Sequence, residues 1–250
     1  MPNTEPTAPA PHSADVHAVL HCPGLPDQTA PYLGATGFFD IDHPEVVHFV
    51  QEAIGGATAE RERAVRLFYA VRDRIRYDPY NLTYDPIDYK ASSVIAAGRG
   101  WCVPKAGLLA ACARAVGIPS AIGLADVANH LNTEKLKARM GGVNVFYDHG
   151  YAALFIEGRW LKTVPAFNIE LCQRFGVRPT EFDGTSDALY QEFDVNNQRH
   201  MEYLREHGTW SDLPLEQIKK DFAVHYPGIA ERARKAETGP ADLFEQDAAT

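Results

Sequence analysis

The stretch "GRGWCVPKAGLLAACARAVGIPS", residues 98–120, decides how this chain is read. Gly98 and Gly100 let the backbone turn sharply. Cys102 follows that turn, and an apolar helical pattern follows Cys102. Pro104 fixes where the helix begins. Early in a helix its missing N–H costs nothing, whereas in the interior it breaks the hydrogen-bond ladder. Ala106, Leu109, Ala110, Ala113 and Val116 recur at helical spacing and predict a buried face. Gly117 suits the residue just past the helix end, and Pro119 stops the helix from continuing. A thiol at this junction meets the unpaired N–H groups and the positive dipole end of the first turn. That field is expected to lower the thiol pKa, and the same amides can receive charge developing on a substrate oxygen. Cys102 is therefore the candidate nucleophile. Cys112 and Cys172 fall in helical stretches beside apolar residues and read as packing, and Cys22 reads as structural.

The bulk composition is consistent with an enzyme and excludes several other classes. The chain has 250 residues, 45% hydrophobic and 23% charged, with a net charge of −9. That is ordinary globular composition. There is no Lys or Arg before Arg61 and no basic run, so no nucleic-acid partner and no membrane surface is expected. The N-terminus lacks the basic and apolar regions of a signal peptide, and no apolar run approaches the ~18 residues of a membrane span. The four cysteines are dispersed, with no C-x-x-C pair. The expectation is a cytoplasmic protein with reduced thiols.

Outward from residues 98–120, the pattern predicts an α+β fold in which N-terminal helices pack on an antiparallel sheet. Residues 1–14 read as a disordered segment, 15–177 as the catalytic core, 178–238 as a helical C-terminal extension of the same domain, and 239–250 as a flexible tail. DVHAVLHC alternates like a strand. "DIDHPEVVHFVQEAI" predicts a helix with Pro44 in its first turn. A second helix starts near Thr58 with Ala64, Leu67, Phe68, Val71 and Ile75 as its stripe. Residues 120–126 read as a strand and 129–141 as a charged loop or short helix. "HGYAALFIEGRWLKTVP" reads as two short β runs joined at Glu157-Gly158, with His149 at the first residue. Asn168 is placed to cap a short helix ending at Gly176. Residues 198–207 and 214–224 look helical, which puts His200 and His207 on a solvated face.

A thiol nucleophile needs a base, usually an imidazole held by a third group. His149, at the end of an apolar strand, is the candidate. "GRGWCVPKAGLLAACARAVGIPSAIG" followed by "HGYAALFIEGRWLKTVP" resembles the core of the transglutaminase-like superfamily. The pattern is a G-x-C turn, a helix ending Arg-Ala-x-Gly-Ile-Pro, a strand, a histidine beginning a strand, and a Trp in the next strand. The resemblance runs from about Ala64 to Phe167, and "FFDIDHPEVVHFV" and "AVRDRIRYDPY" are similar to bacterial members. It implies papain-like Cys–His–Asp chemistry, with Cys102 as nucleophile and His149 as base. The family's aspartate, just before a proline, is replaced here by Val164. Valine accepts no hydrogen bond from a ring. Asn168 is the first substitute, by analogy with papain-like sites, with a helix N-cap as its alternative role. Asp126 and Asp183 are further candidates.

Trp101, Asp126 and His130 are expected to line the substrate cleft, and Tyr77, Tyr80 and Tyr84 to border it. "DIDH" at 40–43 is explained by helix capping, and no H-E-x-x-H, C-x-x-C or P-loop spacing exists, so neither metal nor cofactor is expected. The resulting expectation is a cysteine acyl-transfer enzyme acting on a peptide or a small-molecule amide or thioester. It would be an amidase or peptidase if water accepts the acyl group, a transglutaminase-type transferase if an amine does, and a cyclase if the acceptor lies within the acyl chain. The alternative, favoured by Val164, is a non-catalytic transglutaminase-like domain that binds a peptide or protein in the cleft.

Overall fold

The computed structural model describes residues 19–129, 133–189, 201–236, 244 and 246. The fold is α+β, as the pattern predicts, and it is built around one helix. That helix, α4, takes its number from three that precede it: α1 (Pro44–Ile54), α2 (Glu60–Arg74) and α3 (Ala91–Ala97). The helix α4 (Cys102–Ala115) is buried from Cys102 to Arg114 on every side, not along one face as its periodicity predicts. Its small side chains explain this, because alanines and glycine let neighbours approach all round. The helices α1 to α3 cover one side. The other side packs on a five-stranded sheet.

That sheet is antiparallel, in the order β1-β7-β4-β5-β6. Its strands are β1 (His21–Cys22), β4 (Ser120–Asn129), β5 (Val145–Ile156), β6 (Arg159–Thr163) and β7 (Met201–Trp210). A separate parallel pair, β2 (Arg76–Tyr77) with β3 (Arg99–Gly100), ties the end of α2 to the turn before Cys102. The short α5 (Glu134–Arg139) and α6 (Ile169–Phe175) decorate the core, and α7 (Leu215–His225) and α8 (Pro227–Arg234) close one end.

The local signals act as expected at several points. Pro44 is the first residue of α1, and the His43 side chain caps it by accepting from Glu45 N–H. The α2 stripe Ala64, Leu67, Phe68 and Val71 is wholly buried. Glu157 and Gly158 both take positive φ, 48° and 83°, the geometry that turns a tight hairpin. Asp40 accepts from the backbone N–H and hydroxyl of Ser92, so the acidic "DIDH" run serves structure.

Two corrections concern strands. Residues 201–210 are not helical. They form β7, an inner strand between β1 and β4, so the expected helical extension over 178–238 supplies part of the core sheet. The charged side chains of "MEYLREHGTW" favour helix locally, but the long-range pairing with β4 prevails. His149 does not open its strand either. Strand β5 begins at Val145 and passes through an irregularity before His149. His130, His200 and nearly all of 239–250 lie outside the described residues.

Two buried cations lock α4 in place. Lys105 is fully buried and donates to the carbonyls of Arg72 and Ile75 at the C-terminal end of α2. This satisfies carbonyls that a helix end leaves open. Burial pushes its ammonium down to about 7. Arg114 donates to the carbonyls of Ser120, Ser211 and Gly34, joining helix, sheet and N-terminal loop.

Candidate active site

Cys102 is the first residue of α4, with Pro104 two residues on where its missing N–H is harmless. Strand β5 lies directly against this turn. A Cβ added to Gly150 would sit 2.7 Å from the Val103 Cα, so only glycine permits the approach. The Gly150 N–H and those of Val103 and Cys102 act on the thiol and favour its anion. His149 is the neighbour of Gly150 on β5, but it is not among the residues that line the pocket at Cys102. Its ring is 2% exposed and lies 6.3 Å from the Phe146 ring.

The thiol opens on a narrow, mostly apolar slot of about 50 Å³. Tyr77, Trp101, Phe146, Phe222 and Tyr226 are among its walls. Tyr77 and Tyr80 are buried, at 5% each, and of the two only Tyr77 lines this slot. Tyr226, at the junction of α7 and α8, fastens this end: its hydroxyl donates to the Val145 carbonyl and accepts from Tyr147 N–H. The Tyr147 and His225 rings stack at 3.6 Å. Trp101 also borders a second, polar cavity of about 230 Å³ that holds Asp78, Asp88 and Arg99.

The electrostatics overturn one expectation. Burial pushes the Cys102 thiol up to about 12, outweighing the helix-start amides that favour the anion, and the Asp148 carboxylate nearby adds to the rise. Burial pushes the His149 imidazole down to about 3. Both shifts favour a protonated sulfur and a neutral ring. Desolvation wins because the thiol is buried against apolar walls.

The substitutes for the missing aspartate are dispersed. Val164 is 1% exposed and packs in the core just after β6. Asn168 sits at the N-cap position of α6, but its side chain makes no cap bond. Its carbonyl oxygen accepts from Tyr77 N–H and its amide donates to Glu170. Asp183 is exposed and accepts from Thr185 and Ser186 in its own loop. Asp126 is elsewhere engaged: His207 Nε2 donates to its Oδ1 at 2.8 Å, and Asp148 N–H reaches the same oxygen at 3.3 Å.

Asp148 and Asp221 escape the sequence reading, and His207, expected on a solvated helical face, instead lies on β7 bonded to Asp126. Asp148 is 1% exposed with φ of 55°. Burial, with Asp221 and Asp126 beside it, pushes its carboxyl up to about 8. No local motif marks these residues, since strand pairing and the packing of α7 gather them.

Comparison with known proteins follows the same outline. Residues 47–165 match the model of the transglutaminase-like superfamily. No curated protein matches. Among solved structures, a candidate cysteine protease from Cytophaga hutchinsonii aligns at 15% identity and a TM-score of 0.44, covering 78% of this chain and 54% of that one. A candidate protease from Parabacteroides distasonis aligns at 18% identity and a TM-score of 0.34, covering 50% of this chain and 25% of that one. This chain therefore spans about half and about a quarter of those two proteins. The turn at Cys102, the helix behind it and the hairpin that carries His149 all fall within the residues 47–165 that match the transglutaminase-like superfamily.

Proposed function

We propose that the chain is a cysteine-dependent acyl-transfer enzyme whose nucleophile is Cys102 and whose base is His149. The observation that carries this reading is the convergence of Gly150 N–H with the first-turn amides of α4 on one sulfur, at the wall of an apolar slot. Such amides also suit an oxyanion that forms next to the sulfur. Because both shifts favour a neutral resting pair, His149 acts as a general base. As the sulfur bonds to the substrate carbonyl carbon, the S–H proton passes to the imidazole. The tetrahedral intermediate collapses by breaking the bond to the leaving amine or thiol, which takes that proton. Water or an amine then attacks the thioester and regenerates the thiol.

The slot suits a small apolar acyl group carried as an amide or thioester, or an apolar side chain of a peptide. Trp101 forms a wall of that cleft in this reading. Asn168 acts at one remove, by holding the Tyr77 backbone that forms another wall. A cytoplasmic location belongs to the same proposal. Among the described residues, no helix is long and apolar enough to cross a membrane.

A second reading, a non-catalytic domain that binds a peptide in the slot, is favoured by Val164, which leaves the family's aspartate position apolar and buried. Turnover of small thioesters and anilides with apolar acyl groups separates the two. The enzyme reading expects turnover by the wild type that Cys102→Ser abolishes. Binding of these compounds without turnover would favour the second reading.

A further inference from the structure

Beside the thiol slot the sheet is irregular in three strands at once. On β4, register shifts flank Asp126 on the β7 side, and another falls between Ala125 and Val127 on the β5 side. On β7, Leu124 pairs with Gly208 and Ala125 with Glu206, so His207 is the extra residue of a bulge. On β5, Ala125 pairs with His149 and Val127 with Phe146, so Tyr147 and Asp148 oppose Asp126 alone. Bulges re-aim side chains that a regular strand would alternate between faces. Here they turn Asp126, Asp148 and His207 towards one point. One ligand-type atom from each lies within 4.8 Å of the other two.

The cluster is incomplete as a hydrogen-bonded network. Asp148 is 1% exposed, no donor reaches its buried Oδ2, and its carboxyl meets that of Asp221 in a hydrogen bond that needs a shared proton. An orphaned carboxylate oxygen is costly unless something cationic meets it. Asp221 on α7 adds a further acidic group against Asp148, and Gln217 is bonded to the far side of Asp221. No Lys or Arg is bonded to Asp126 or Asp148 among the described residues. The side chains of His207 and Asp126 are 23% and 12% exposed, which leaves an approach from solvent.

We propose that Asp126, Asp148 and His207 form a binding site for a divalent transition-metal ion of the zinc class. Two carboxylate oxygens and one imidazole nitrogen are a three-ligand set that leaves a fourth position for water. The imidazole selects against magnesium and calcium, which prefer all-oxygen shells. The ion enters between His207 Nε2 and Asp126 Oδ1, replacing their 2.8 Å hydrogen bond with two metal bonds of about 2.0–2.2 Å. It also gives the orphaned Asp148 oxygen a partner. Asp126 on β4 and Asp148 on β5 lie within the residues that match the family, and His207 on β7 lies outside them.

The test is calorimetric titration of the full-length chain, stripped with chelator, with zinc chloride. Circular dichroism confirms that each variant is folded. One ion per chain is expected, with affinity at least about a hundredfold lower in His207→Ala and in Asp148→Asn, and unchanged in Cys102→Ser. His207 is partly exposed, so His207→Ala keeps the test readable should Asp148→Asn fold poorly. Absence of binding, binding untouched by His207→Ala, or loss of binding in Cys102→Ser would overturn the site. Displacement of zinc by an equal concentration of magnesium or calcium would overturn the metal class.

Discussion

Two regions linked through strand β5 treat their reactive groups in opposite ways. At the start of α4 a thiol is packed among aromatic rings, and its charge is suppressed although backbone amides favour the anion. At the three-strand bulge, carboxylates are gathered although their charges repel. The first region holds a neutral group ready to become charged when substrate arrives. The second gathers carboxyl groups so closely that Asp148 is pushed towards its protonated form, and a cation could take the place of that proton. A shared strand does not imply a common electrostatic design, and burial together with the nearest partners decides each case.

The largest expected effect separates the two regions outright. Cys102→Ser should lower acyl transfer by at least about a thousandfold, since the hydroxyl is a far weaker nucleophile, while zinc titration stays as in the wild type. Steady-state turnover and calorimetry on one preparation check both halves.

The next effect tests the suppressed charge. With its thiol pushed up to about 12, Cys102 should react with iodoacetamide at pH 8 at least about tenfold more slowly than the partly exposed Cys22. Peptide mapping of the alkylated chain reads this directly. Faster labelling of Cys102 would mean that the helix field, not desolvation, governs the site.

A smaller effect tests the contact between the regions. Gly150→Ala puts a methyl group 2.7 Å from the Val103 Cα. Overpacking of this kind costs about 1–3 kcal/mol, to be read as a fall in the denaturant midpoint with an unchanged slope.

The smallest concerns the scaffold. Lys105 has a folded-state pKa of about 7, below its ordinary 10.5. Between these values the unfolded chain binds more protons, so wild-type stability rises with pH across that window and is lost as pH falls towards 7. Lys105→Met should flatten that slope. At alkaline pH it should cost about 1–3 kcal/mol, because the Arg72 and Ile75 carbonyls lose their donor. Urea unfolding at pH 7 and pH 10 checks both statements.

What the sequence makes legible follows the same divide. The helix start at Cys102 is written in adjacent residues: the glycine turn, Pro104 and the apolar run. The α2 stripe and the Glu157-Gly158 hairpin are equally local, and the structure bears them out. Strand β7 is not legible, because its charged residues favour helix and only pairing with β4 makes it a strand. The Asp126–Asp148–His207 cluster is not legible either, because it depends on register shifts in three strands far apart in the chain. The helix start is visible locally, but the rings around the thiol come from β2, β5, α7 and the junction of α7 with α8.

The central claim is that Cys102 carries the acyl group. The most direct measurement is intact-protein mass spectrometry after brief mixing with an activated thioester of a small apolar acid, followed by peptide mapping. The account predicts one acyl adduct on Cys102 that disappears on standing or on adding an amine, and that is absent in Cys102→Ser. A wild-type chain that gains no adduct, or gains it equally on Cys22, would contradict it.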